Sequence, residues 1–264
     1  MVRRSRLDAE LVRRGLARSR DHAVTLIAEG RVTVGGQAAT KPATGVAPDA
    51  PVVVRSDPDE PSWVSRGAHK LLGALAAFPV AVEGRRALDA GASTGGFTEV
   101  LLSRGARQVV AVDVGYGELA WSLRTDDRVV VHERTNVREL TPEAIGGPVG
   151  LVVADLSFIS LRLVLPALTA CAREDADLLP MVKPQFEVGR ERLGAGGVVR
   201  DPEHRVQAVV AVAGVAGEVG FGVAGMVRSP LPGPSGNVEF FLWLRRDAGP
   251  PREEDVHRAV EDGP

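Results

Sequence analysis

One cysteine, Cys171, is all that the 264 residues contain. No intramolecular disulfide can form, and no Cys/His spacing suits a zinc site, so a reducing, cytoplasmic setting without structural metal is expected. No apolar run reaches the ~20 residues of a membrane-spanning helix, and the charged segment from Met1 to Glu10 is not followed by the apolar stretch of a secretory signal. Internal repeats are absent. Hydrophobic residues make up 44% and charged residues 25%, near the average for soluble globular chains, which excludes disordered, collagen-like and coiled-coil classes. The length instead suits two domains, one of ~50–60 residues and one of ~200.

Net charge is also small, −2, but it is unevenly spread. Residues 1–56 hold ten Lys/Arg and five Asp/Glu, a net of +5, and the remainder holds 22 basic against 29 acidic groups, a net of −7. Basic groups that neutralise phosphates release counterions, so a compact basic module suits nucleic acid. A solvated basic helix face would give the same sum.

Four segments follow in order. Residues 1–56 read as two short helices and a small sheet. Leu7, Leu11 and Val12 precede Gly15. Ser19 is an N-cap candidate for a helix with Ala23, Leu26 and Ile27 on its apolar side, closed by Gly30. Strands are expected at Arg31–Val34 and Val52–Val54. Residues 57–64 read as a linker, with Asp57–Pro61 rich in proline and acid. Its Trp63 either packs between domains or covers the edge of the next core. Residues 65–250 alternate strand and helix, the rhythm of a doubly wound parallel sheet in an α/β domain. A helix is expected near Ser65–Phe78, strands near Ala87–Ala90, Gln108–Asp113, Val129–His132, Leu151–Asp155 and Leu178–Lys183, then a helix around Pro202–Val219 and two closing strands, Phe221–Arg228 and Val238–Leu244. The glycine-rich stretch Gln185–Asp201 reads as a long functional loop. Residues 251–264 form a tail with a short charged helix.

The first strand of the large domain ends in Asp89-Ala90-Gly91-Ala92-Ser93-Thr94-Gly95-Gly96-Phe97. Small residues there let the backbone approach a nucleotide-like ligand at a helix N-terminus. A tight packing turn is the alternative, because Ser93 replaces the second glycine of the dinucleotide fingerprint. Asp113, 22 positions after Gly91, can accept from both hydroxyls of an adenosine ribose, a group that NAD and S-adenosylmethionine share. Lys70, Asp155, Lys183 and Glu239 are the candidate reacting groups. Asp155 and Lys183 fall at strand ends that converge on the ligand crevice of a parallel sheet. Taken singly, a strand-end lysine is as well explained as a solvated charge.

The pattern Arg6-Leu7-Asp8, Gly15 to Arg20, Ala23, Leu26-Ile27 and Gly30-Arg31-Val32 resembles the S4-like RNA-binding domain. That resemblance implies Arg3, Arg4, Arg6, Arg13, Arg14, Arg18, Arg20 and Lys41 as RNA contacts, joined by Arg66 at the junction. The glycine loop opening on Asp89, with Lys70, Asp155, Lys183 and Glu239 in their contexts, resembles the RNA 2′-O-methyltransferases related to FtsJ, with their Lys-Asp-Lys-Glu tetrad. The cofactor implied is S-adenosyl-L-methionine, on Asp89, Gly91, Ser93, Thr94, Gly95, Gly96, Phe97, Asp113, Tyr116, Asn136 and Asp155. Tyr116 is implied near the ribose and Asn136 near the adenine, with Lys183 as general base. Metal is not implied.

The two domains together, joined by Ser65-Arg66-Gly67-Ala68-His69-Lys70, resemble the TlyA-type proteins, once called haemolysins. Membership implies a Rossmann-like methyltransferase domain behind a small α+β domain. It further implies methylation of cytidine in 16S and 23S ribosomal RNA of the 30S and 50S subunits, and sensitivity to capreomycin-class antibiotics. The family can carry an arginine before the junction's Trp-Val; here the run is Glu60-Pro61-Ser62-Trp63-Val64. A monomer is expected. A membrane-lytic protein and an inactive ribosome-assembly factor are the other readings.

Overall fold

The computed structural model describes residues 4–17, 20–55, 63–233 and 235–261. The expected N-cap Ser19, the RNA-contact candidates Arg3 and Arg18, and the linker Asp57–Pro61 lie outside the described residues. The chain divides into two compact units, Met1–Ser62 and Trp63–Pro264.

In the first unit the elements are β1 (Ser5–Arg6), α1 (Leu7–Arg13), α2 (Arg20–Ala28), β2 (Val32–Val34), β3 (Gln37–Ala38), β4 (Gly45–Val46) and β5 (Val52–Val54). The two helices exist because Leu7 and Leu11, and Ala23, Leu26 and Ile27, fall on single faces that close on one core with Val32 and Val46. β2 lies between β3 and β5, antiparallel to both. The pairing of β1 with β4 was not apparent in the sequence, since two-residue strands have no period to read.

The second unit contains α3 (Gly67–Ala77), β6 (Arg86–Ala90), α4 (Gly96–Ser103), β7 (Gln108–Val112), α5 (Trp121–Arg124), β8 (Val129–His132), β9 (Val149–Ala154), α6 (Leu161–Ala170), β10 (Ala172–Val182), α7 (Pro202–Glu218), β11 (Gly222–Arg228), β12 (Phe240–Arg245) and α8 (Glu253–Glu261). Seven strands form one sheet in the order β11-β12-β10-β9-β6-β7-β8. The central strand β9 is buried along its whole length, because its alternate residues feed two cores. Leu151 and Val153 pack with α3 and α4, and Val152 and Ala154 with α6 and α7. Trp63 packs on the α3/α4 core. No helix among the described residues is long and apolar enough to cross a membrane.

The sheet departs from all-parallel expectation at its closing pair. β11 returns parallel to β10 through the α7 crossover, leaving a gap one strand wide. β12 follows β11 without a helical crossover and fills that gap antiparallel to both neighbours. Reversal puts the start of β12, not its end, at the edge where β9 and β10 terminate; Val182 pairs with Phe240.

Candidate active site

That edge gathers the four reacting candidates. Asp155 follows β9, with its N–H bonded to the Ala90 carbonyl at 3.1 Å. Lys183 follows β10, Glu239 precedes β12, and Lys70 enters from the second turn of α3. The Lys183 Nζ lies 2.6 Å from Asp155 Oδ1 and donates to Ser157 Oγ at 2.9 Å. Lys70 Nζ donates to Glu239 Oε2 at 2.6 Å and stands 4.0 Å from Asp155 Oδ2. The four side chains therefore form one line, Glu239, Lys70, Asp155, Lys183, with acid and amine alternating. Lys70, Lys183 and Glu239 are buried, and the alternation is what makes that tolerable, since a buried charge needs an opposite partner. Asp155 stays part-exposed and faces the openings on both sides. The Gln185 amide reaches Glu239 Oε1 at 3.4 Å.

Two adjoining cavities share Gly91, Ser93, Asp155 and Ser157. One, of about 430 Å³, runs along Asp113, Val114, Glu118, Asn136 and Val137 to Leu156, Phe158 and Ile159. The other, of about 390 Å³, holds Lys70, Lys183, Ser65, Arg66, Thr94 and Phe97. The paired line of charges thus borders both spaces at Asp155. A larger hollow, ≈ 820 Å³, opens at the opposite sheet edge between Arg173–Ala176 and Arg245–Asp247; Arg173 is paired with Asp175 and Arg245 with Asp247, and the Arg246 guanidinium lies over the Phe221 ring.

The glycine loop divides into two jobs. Gly91 (φ +87°) is forced to be glycine by close approach, because a Cβ would sit 2.8 Å from the Asp155 carbonyl oxygen. Gly96 lines the second cavity and also serves helix packing, since a Cβ there would collide with Ser65 Oγ and meet the Ala68 nitrogen at 2.9 Å, where α4 crosses the start of α3. Gly95 (φ +99°) is pressed against Leu119 and Leu123 and does not line either cavity. Phe97 stacks on Phe241 with ring centres 6.0 Å apart. Asp113 accepts from the Ser93 and Gly115 N–H groups at 2.8 and 2.7 Å, which fixes the carboxylate while each oxygen keeps a lone pair for a ligand.

Several expected residues are placed elsewhere. Asp89 lines neither cavity. It is fully buried under the loop, where Thr98 donates to Oδ2 at 2.7 Å and Oδ1 has no hydrogen-bond partner. Burial pushes its carboxyl up to about 7, against the Thr98 hydrogen bond and with help from the Asp155 and Asp113 charges. Tyr116 is exposed, with the Arg134 guanidinium 4.3 Å over its ring, because Gly115 is tied back to Asp113 and the chain turns outward. Asn136 does line the cavity, and its Oδ1 accepts from the Arg138 N–H at 3.1 Å.

Arg14 is consumed by the fold of the first unit. It bonds Glu10 and the carbonyls of Ala47, Pro48 and Ala50. Arg6 and Arg20 converge on the buried Asp8 at 2.9 and 3.1 Å and remain largely exposed, and Arg13 pairs with Glu10. These arginines hold the Asp8 and Glu10 carboxyls well below the usual range. Arg4, Lys41 and, in the second unit, Arg66 are exposed.

Three features had no role in the sequence reading. Glu118 accepts from Ser93 Oγ at 3.1 Å beside the first cavity. Ser157 touches Lys183. The buried Glu187 accepts from Ser160 Oγ and the Leu161 N–H, tying the segment after Lys183 to the start of α6. Ser157 had a signal, two residues after a strand-end acid; the other contacts depend on loop paths.

Comparison with known proteins agrees with this geometry. Residues 63–246 match the FtsJ-like methyltransferase model and residues 5–52 the S4 domain. The chain is 64% identical, over the full length of both, to the 16S/23S rRNA (cytidine-2′-O)-methyltransferase TlyA of Mycobacterium tuberculosis. It is 34% identical to Hemolysin A of Brachyspira hyodysenteriae, over 89% of this chain and 97% of that protein. A solved structure from Streptococcus thermophilus, provisionally described as a hemolysin, superposes with a TM-score of 0.76 at 36% identity, over 98% of this chain and 95% of that one. With the tetrad gathered at one sheet edge and the match running through both units, the chain belongs to the FtsJ-like methyltransferase family, in company with TlyA and with an S4 domain ahead of the catalytic fold.

Proposed function

We propose that this chain is an S-adenosylmethionine-dependent 2′-O-methyltransferase of ribosomal RNA, acting on cytidine in the 16S and 23S molecules of the 30S and 50S subunits. In this reading it works as a cytoplasmic monomer and its activity confers sensitivity to capreomycin-class antibiotics. Residues 1–56 serve as the RNA-binding domain, 57–64 as the linker, 65–250 as the catalytic domain and 251–264 as a tail. The observation that carries the reading is the line Glu239–Lys70–Asp155–Lys183 bordering two adjoining cavities. The identity to TlyA supports the substrate.

The residues present fit the cofactor. Asp113, Glu118 and Asp155 edge the larger of the two site cavities, a carboxylate set that favours a cationic ligand and would repel a pyrophosphate. Its other wall, Val137, Leu156 and Ile159, suits a purine, and the volume is in the range of small-ligand sites. S-adenosylmethionine, when bound, supplies a methyl group on a positively charged sulfur, which is left as a neutral thioether.

The protein's part is binding and proton transfer. Asp113 receives the ribose hydroxyls and Asn136 lies toward the base. Gly91, Ser93 and Thr94 shape the passage between the cavities. Lys183, in its neutral form, takes the proton of the acceptor 2′-hydroxyl as that oxygen bonds the methyl carbon. The proton ends on Nζ, where Asp155 stabilises the ammonium. Glu239 holds Lys70, whose charge balances Asp155. Arg66, exposed on the lining of the second cavity, would meet a phosphate of the RNA.

Incubating unmodified ribosomal subunits with labelled methyl donor and mapping 2′-O-methyl groups tests the reading. Methylated cytidine in wild type and none with Asp155→Ala is the expected result; transfer to a base or to protein would refute it. Membrane lysis, the other activity suggested by the haemolysin names, would appear as cofactor-independent dye release from liposomes.

A further inference from the structure

The base proposed for the reaction has a partner outside the four-residue line. β9 ends at Ala154, and the chain then turns through Leu156–Ile159, with Phe158 in the left-handed region (φ +64°), before Ser160 caps α6. The turn brings the Ser157 hydroxyl within 2.9 Å of the Lys183 amine. Ser157 and Asp155 both border the cavity of about 430 Å³ proposed for the cofactor and the adjoining one of about 390 Å³, where the acceptor sugar would enter, whereas Lys183 borders only the latter. A lysine Nζ has three directions beyond its own carbon. On Lys183 one is taken by the hydrogen bond to Ser157 Oγ, while Asp155 Oδ1 stands 2.6 Å away as an ion-pair partner.

We propose that Ser157 is a positioning residue for the methyl transfer: by accepting a hydrogen bond from Lys183 it fixes the amine's rotation so that a remaining direction faces the acceptor 2′-hydroxyl. The inference rests on Lys183 being the base. Asp155 alone leaves the amine free to swing about the Cε–Nζ bond and the lysine stem free to change rotamer. The Ser157 hydrogen bond removes that freedom before the RNA arrives, so the effect falls on the transfer step and not on binding. Ser157 is itself exposed, so its hydroxyl is not needed to satisfy the core.

The test compares wild type, Ser157→Ala, Ser157→Thr and Lys183→Ala on unmodified ribosomal subunits under steady-state conditions, with calorimetric titration of S-adenosylmethionine and a melting curve for each. Loss of one hydrogen bond to a charged or reacting group predicts that Ser157→Ala lowers kcat on the order of 10- to 100-fold. The KM for RNA and the Kd for cofactor stay within about twofold of wild type. Ser157→Thr keeps the oxygen and restores most of the rate. A Ser157→Ala kcat equal to wild type while Lys183→Ala is inactive overturns the role of Ser157 and leaves the base assignment standing. A loss confined to KM, or one that threonine fails to restore, also overturns it. Full activity in Lys183→Ala would remove both.

Discussion

Asp89 illustrates how one side chain can look like a ligand contact in sequence and be something else in the fold. It opens the glycine loop, but it is entirely buried on the α4 side of β6, held by Thr98. Its carboxyl, raised from 3.8 to about 7 by burial, keeps a proton in the folded chain that the unfolded chain releases. Between those two values the native state binds more protons than the unfolded state, so this group's contribution to stability falls as pH rises from about 4 to about 7 and is level beyond. Asp89→Asn removes the dependence. The variant should gain on the order of 1–4 kcal/mol at pH 8 relative to wild type and nothing near pH 4, as read from denaturant midpoints at the two pH values. An equal effect at both would contradict the assignment. Asp155 and Lys183 were legible because strand-end position aims them at the crevice, whereas Lys70, on a helix, and Glu239, at the start of a reversed strand, were singled out only through the family resemblance. The surroundings of Tyr116 and Arg14 were not legible: the first is turned outward by the Gly115 backbone contact. The second meets carbonyls 33 to 36 residues away, which no local pattern announces.

Strands and helices were readable where burial is complete on one or both faces. β8 falls as expected, and α3, β6, β7 and β9 begin or end within two residues of expectation, since continuous or alternating apolar runs have few other uses. β10 begins six residues earlier than expected, because Arg173, Glu174 and Asp175 are exposed and carry no apolar signal. The direction of β12 was not legible at all; it is set by the missing crossover, not by side-chain period. The loop Gln185–Asp201 is less free than its glycines suggest. The buried Asn237 accepts from the Val199 N–H at 2.9 Å and donates to the Gly197 carbonyl at 3.0 Å, stitching the loop after Lys183 to the segment before Glu239. Asn237→Ala leaves that N–H unpaired, a local penalty of about 1–3 kcal/mol. Amide exchange at Val199 should accelerate while β9 and β10 keep their protection. Unchanged exchange at Val199 would show that the loop is held by other contacts.

Two units divide the labour between affinity and chemistry in the proposed reading. The net +5 of residues 1–56 belongs to a small fold whose arginines differ in availability. Arg6→Gln should weaken binding to ribosomal RNA and reduce the slope of log K against log salt by about 1, the signature of one phosphate contact. Arg14→Gln should lower the melting temperature of the first unit instead, with the salt slope intact. Neither should alter cofactor affinity. The central claim is that an amine held at the ends of β9 and β10 removes the proton from the acceptor. Single-turnover transfer to unmodified ribosomal subunits by wild type and Lys183→Ala, with cofactor affinity measured alongside, tests it most directly. The account predicts a loss of about 10²–10⁴-fold in the transfer rate with unchanged S-adenosylmethionine binding. Transfer at the wild-type rate, or a loss explained wholly by weaker cofactor binding, would contradict it.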